Sequence, residues 1–174
     1  MQRFRLFPFL ILFLLASSGC SLPLVRTPEP PVGSCSLHLD ANATDEQAIR
    51  AVLAAEGELV VKQDITNLMA LWADGSTVTD ANNTPKNIDD DELWRNKDAI
   101  RHRYVRIVFP GAAAVSKPAD MTIAIDGDEA TVTSTTQIGN EISPAGDRWQ
   151  LVKSDGCWLI KGLTFNLEPA KKKK

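Results

Sequence analysis

A chain of 174 residues, 44% hydrophobic and 24% charged, has the size and composition of one globular domain with extensions. Its net charge of −3 supplies no basic field for nucleic acid, and the one strongly positive stretch is the run Lys171 to Lys174.

The chain begins like an export signal. Arg3 and Arg5 precede an apolar run from Leu6 to Ala16, which is shorter than the ~20 residues of a membrane-spanning helix. Small residues follow at Ser17-Ser18-Gly19-Cys20. This ending resembles the lipobox of bacterial lipoproteins, which implies removal of residues 1–19, acylation of Cys20 and attachment to a membrane of the cell envelope. Ser17 stands where that motif carries leucine, so cleavage after Ser18 or a retained segment is the alternative. Residues 20–43 are rich in proline, with Pro23, Pro28, Pro30, Pro31 and Gly33 interrupting any regular element, and form a semi-extended tether. His38, within the tether, is expected in solvent.

Thr44-Asp45-Glu46-Gln47 has the form of a capping box and opens a helix to about Lys62, with Ile49, Val52, Leu53, Leu59 and Val60 in an apolar stripe. Asp64 opens a short second helix carrying Ile65, Leu68, Met69 and Trp72, stopped by Ala73-Asp74-Gly75. A short strand from Ser76 to Asp80 and a loop through Asn82-Asn83-Thr84-Pro85 and Asp89-Asp90-Asp91-Glu92 follow. The aspartates lack the alternating spacing of a calcium loop, and adjacent residues point different ways, so neither metal nor cofactor is expected. Asn96 caps a third helix from Lys97 to about Val108, with Ile100, Tyr104, Ile107 and Val108 inward and Arg101, His102 and Arg103 toward solvent.

Two hairpins complete the chain. Asp126-Gly127 separates Met121–Ile125 from Asp128–Thr133 and puts Met121, Ile123, Ala130 and Val132 on one face. Asp155-Gly156 sets Lys153 against Trp158, Leu151 against Ile160 and Trp149 against Gly162. Trp149, Leu151, Trp158 and Ile160 then share a face that needs a cover, and the first helix is the natural one. Gln150, Val152, Leu159 and Lys161 form a mixed surface on the other side. With Cys20 acylated, Cys35 and Cys157 remain as an even pair in an exported chain, and Cys157 lies on the face opposite Trp158, where the tether can cross. A Cys35–Cys157 disulfide is expected, with two free thiols as the alternative.

This order of elements is α+β: three N-terminal helices on one face of a curved antiparallel β-sheet. It resembles the nuclear transport factor 2-like superfamily, especially its polyketide-cyclase (SnoaL-like) branch, over residues 44–167, with 168–174 left as a basic tail. The resemblance rests on Asp45-Glu46-Gln47-Ala48-Ile49, on Asp64 to Gly75, on Asn96-Lys97-Asp98-Ala99-Ile100 and on Asp155-Gly156-Cys157-Trp158-Leu159-Ile160. It implies a cone with a pocket between sheet and helices, and a homodimer through the outer sheet face.

Enzymes of that superfamily use a pocket acid or histidine, and candidates are few here. Asp80 is the acid to inspect as a catalytic base, against its reading as the end of a strand before an Asn-rich turn. Trp72, Trp94 and Tyr104 are the candidate pocket residues for a small apolar ligand, although packing alone explains Trp72 and Tyr104. The leading reading is an exported, lipid-anchored domain that binds a ligand or protein without chemistry. The alternative is a small isomerase, cyclase or hydrolase with an Asp as general base.

Overall fold

A computed structural model of the chain describes residues 35–40, 42–111, 114–138 and 141–167. The expected export segment, Cys20, most of the tether and the basic tail lie outside the described residues.

Helix α1 (Asp45–Lys62) starts at the capping box: Thr44 Oγ1 accepts from Gln47 N, and Gln47 Oε1 accepts from Thr44 N at 2.8 Å. Its stripe of Ile49, Val52, Leu53 and Val60 enters the core. Gly57 sits in mid-helix because the backbone of Ser116 passes where a side chain would stand. Asp64 caps the short α2 (Ile65–Ala70), accepting from Asn67 N and Asn67 Nδ2. Those bonds hold its carboxyl below the usual aspartate range.

Six strands form one sheet in the order β2-β1-β6-β5-β4-β3. They are β1 (Trp72–Asp80), β2 (Glu92–Arg95), β3 (Ala119–Asp126), β4 (Glu129–Ile138), β5 (Glu141–Ser154) and β6 (Cys157–Phe165). The α+β layering is as expected, with three differences. Strand β1 begins at Trp72 rather than Ser76, passing through Gly75 at φ 66°, so Trp72 belongs to the sheet and not to α2. Residues 92–95 pair with β1 instead of forming a loop. Strands β1 and β6 run parallel, so the sheet is mixed. Register shifts in β1/β6, β3/β4, β4/β5 and β5/β6 supply the local bends that curve the sheet.

The β5–β6 hairpin turns at Asp155-Gly156, with Asp155 at φ 52° and Gly156 at φ 80°. Lys153 pairs with Trp158 and Leu151 with Ile160, as the turn predicts, but Lys161 bulges out and Trp149 then faces Leu163 rather than Gly162. Trp149, Leu151, Trp158 and Ile160 lie together on the buried face, and the bulge turns Leu163 and Phe165 onto it after them. Helix α1 covers that face and is pinned to it. Asp45 Oδ1 accepts from Lys153 Nζ at 2.7 Å and from Trp158 Nε1 at 2.9 Å. At the start of β6 Cys157 is bonded to Cys35, closing a separation of 122 residues. The disulfide points to an oxidising, extracytoplasmic environment, where such bonds persist. No helix among the described residues is long and apolar enough to cross a membrane.

The third helix departs most from expectation. Helix α3 (Asn96–Arg103) is started by Asn96 Oδ1, which accepts from Asp98 N and Ala99 N, but the chain then widens into a π-helical turn over Tyr104–Val108. Ile100, Tyr104 and Val108 are buried as expected; Ile107 is rotated out to 44% exposure. Arg103, expected beside His102 in solvent, is buried.

Two outcomes follow from this architecture. Trp158→Ala should lose ~3–5 kcal/mol of stability in urea denaturation, the cost of deleting a buried large aromatic. The hydrogen bonds from Lys153 and Trp158 hold the Asp45 carboxyl below the usual aspartate range. A carboxyl so lowered contributes stability above about pH 4 and loses it as the pH falls through its folded value. The urea midpoint of Asp45→Asn should therefore lie below the parent's near neutral pH, and the gap should close as the medium is acidified below about pH 4. Parallel midpoints at all pH values would remove the carboxylate from this role.

Candidate functional site

Pairing brings one row of inner-face residues across the sheet at the end remote from the disulfide. Asp80 pairs with Glu92 on one side and Phe165 on the other. The register that pairs Arg148 with Thr164 sets Asp147 level with Phe165, and Asp147 pairs with Ser134. The next row is Trp94, Val78, Leu163, Trp149, Val132 and Ile123. Polar groups thus stand at one end of an otherwise apolar inner surface.

Arg103 reaches this end from α3. Its guanidinium carbon lies 4.8 Å from the Phe165 ring centroid, 5.0 Å from that of Trp94 and 5.7 Å from that of Tyr104. These separations give cation–π attraction, which is strongest where water is excluded, and Arg103 is only 1% exposed. Tyr104 OH donates to Glu56 Oε1 at 2.6 Å, joining the π-helical turn to the middle of α1, and Glu56 is likewise 1% exposed. Trp149 Nε1 donates to Ser134 Oγ at 3.1 Å, and Ser134 and Thr136 hydroxyls are 3.3 Å apart. Asp147 is buried beside them in sequence register.

The residues singled out from the sequence fall in different places. Trp72 and Tyr104 are fully buried, ring against ring in an edge arrangement at 6.1 Å, and Trp94 is half buried beneath Arg103. Asp80 is half buried, and its Oδ1 accepts from Asn82 N at 2.8 Å and Asn166 Nδ2 at 2.7 Å. The Asn82 contact is an Asx turn, into which Asn82 and Asn83 fit at φ 51° and 58°. Both histidines are exposed. Among the described residues no group of three or more His, Cys, Asp or Glu side chains could hold a metal.

No family model and no curated protein matches the sequence. Solved structures do match. A protein of unknown function with a cystatin-like fold from Nostoc punctiforme aligns with TM-score 0.56 and 19% identity, over 78% of this chain and 97% of that one. A nuclear transport factor 2-like protein with a cystatin-like fold from Novosphingobium aromaticivorans gives 0.52 and 17%, over 69% and 79%. One of unknown function from Shewanella baltica gives 0.51 and 22%, over 71% and 96%. The fold is that of the cystatin-like, nuclear transport factor 2-like proteins. These likenesses concern the fold alone.

Sequence reasoning missed Glu56, Arg103 and Asp147, although each occupies an inward position of a pattern it had recognised. Glu56 continues Ile49, Val52 and Leu53 at helical spacing, Arg103 follows Ile100 by three, and Asp147 precedes Trp149 and Leu151 by two-residue steps. A charge at an apolar register position was the available signal.

Tyr104→Phe removes the donor to buried Glu56 and should cost about 1–3 kcal/mol in urea denaturation, the penalty for an acceptor that loses its bond. A change under about 0.5 kcal/mol, as at an ordinary surface position, would show that the bond is immaterial to the fold.

Proposed function

We propose that the protein is an exported, lipid-anchored binding domain of the SnoaL-like type, which holds a small, largely apolar ligand against the inner face of its sheet without chemistry. The observation that carries this reading is Arg103, buried against Trp94, Tyr104 and Phe165 at the same end of the sheet as Glu56 and Asp147. Burying charge costs stability that apolar residues in the same positions would not cost. Three such charges at one end of an apolar surface make the usual composition of a ligand site: mostly aromatic and aliphatic, with a few polar groups fixing orientation. The disulfide supports export, and Gly19-Cys20 after the apolar run supports the anchor. The mixed outer face, with Val152 and Leu159, is the surface proposed for a second copy.

A second reading, a small isomerase, cyclase or hydrolase, is favoured by Asp147 rather than Asp80. Asp147 is the buried inner-face aspartate, while Asp80 is engaged in the turn.

Thermal-shift screening with small aromatic and alicyclic acids, alcohols and ketones tests the binding reading. Ligands that raise Tm in the parent should fail to do so in Arg103→Met, which keeps the bulk and removes the charge. Equal shifts in both proteins would dismiss the inner polar end as the site. Turnover of any hit, lost in Asp147→Asn while binding survives, would select the enzymatic reading. Cys20→Ser should move the protein from membranes to the soluble fraction, and undiminished membrane association would exclude acylation as the anchor.

A further inference from the structure

Residues 35–40 run over the junction of α1 and the β5–β6 turn, held mainly by one covalent bond. Cys35 is bonded to Cys157, Ser36 Oγ donates to Ala70 O at 3.0 Å, and Leu37 packs against the core. Ser36, His38, Leu39 and Asp40 are exposed. Among the described residues no backbone hydrogen bond joins residues 35–39 to a helix or strand. The fit beneath them is incomplete: a cavity of about 30 Å³ separates Leu37 and Leu39 from a floor of Ala48, Val52, Leu71 and Trp158. A void of that size could admit a water molecule, but its apolar lining offers water few partners and deprives Leu37 of dispersion contacts.

We propose that residues 35–40 are a redox-gated strap, closed while Cys35 and Cys157 are bonded and released by a dithiol reductant to uncover the apolar cleft of Ala48, Val52, Leu71 and Trp158. Both cysteines are half buried, so a sulfur at this site is within reach of an incoming thiolate. A thiolate of the reductant attacks one sulfur, the S–S bond breaks, and the other cysteine leaves as a thiolate that takes up a proton. The reductant's second thiolate then displaces the bound cysteine from the mixed disulfide. Two electrons and two protons pass to the protein, and the dithiol becomes a disulfide.

Release stays local for two reasons. The strap ends before the Thr44 cap, so no helix or strand loses a backbone–backbone hydrogen bond when it leaves, and α2 gives up the single side-chain bond from Ser36 Oγ to Ala70 O. The cleft floor is held independently, because Asp45 binds both Lys153 and Trp158 at its rim. An exposed segment without a backbone ladder opens at little free-energy cost once its covalent tie is cut, whereas the elements beneath share one core cluster. Oxidised, the protein hides an apolar surface beside Trp158; reduced, it exposes that surface.

The test uses the full-length protein, oxidised and after treatment with dithiothreitol, with subtilisin cleavage mapped by mass spectrometry, binding of a hydrophobic dye, and far-ultraviolet circular dichroism. Reduction is expected to raise cleavage within residues 36–40 at least tenfold and to increase dye binding, with the dichroism unchanged and both effects reversed on reoxidation. Cys157→Ser, without reductant, should reproduce the reduced behaviour. Loss of the dichroism signal on reduction would make the bond a staple of the whole fold and overturn the proposal. Unchanged cleavage and dye binding would overturn it from the other side, by leaving Leu37 and Ser36 sufficient to hold the strap.

Discussion

The register of the β5–β6 hairpin is the constraint on which the rest depends. A shift of one residue would send Trp149, Leu151, Trp158 and Ile160 to the outer face and leave α1 nothing to cover. The Asp155-Gly156 turn fixes the start of that register, since both residues adopt positive φ. The bulge at Lys161 then corrects it midway, so that Leu163 and Phe165 face inward after Trp158 and Ile160. Without that extra residue, Phe165 could not share a face with Trp149, and Arg103 would lose the ring nearest its guanidinium.

The same register separates the protein's covalent tie from its polar cluster. Cys157 begins β6 and Phe165 ends it. Eight steps of ~3.3 Å put the two at opposite ends of the strand, ~26 Å apart. The capped start of α1 belongs to the disulfide end through Asp45. The middle of α1 serves the other end, where Glu56 accepts from Tyr104. One helix therefore braces the hairpin turn with its first residue and supplies a buried carboxylate two-thirds of the way along.

Much of this fold could be read from residues, because the signals that set it are local. The capping box, the two Asp-Gly turns and the alternation around Trp149 and Trp158 each depend on a few neighbouring residues, and the Cys35–Cys157 bond, across a separation of 122 residues, was expected from the even count of cysteines left in an exported chain. What escaped the sequence is non-local. The parallel pairing of β1 with β6 joins segments far apart in the chain, and β2 is a strand only because β1 offers it an edge. The π-helical turn was hidden for a related reason: Tyr-Val-Arg-Ile-Val satisfies an α-helical pattern as well as the wider one. The wider turn leaves Ile107 outside, where a regular helix would have turned it inward.

The polar end was obscured by an expectation that is sound for surfaces and fails for buried charge clusters. Glutamate, arginine and aspartate are rarely buried, so a charge met within a helix or strand is read as solvated before its register is counted. Glu56, Arg103 and Asp147 all violate that rule, and they do so from three different elements. A single buried charge is readily accommodated by its immediate neighbours. Three that meet one end of the inner face require helix, π-helical turn and sheet to have been shaped together, and Trp94, Tyr104 and Phe165 surround the cation among them. Local conflict with burial preference, repeated in independent elements and converging in space, is the physical mark that distinguishes this end of the sheet from ordinary core.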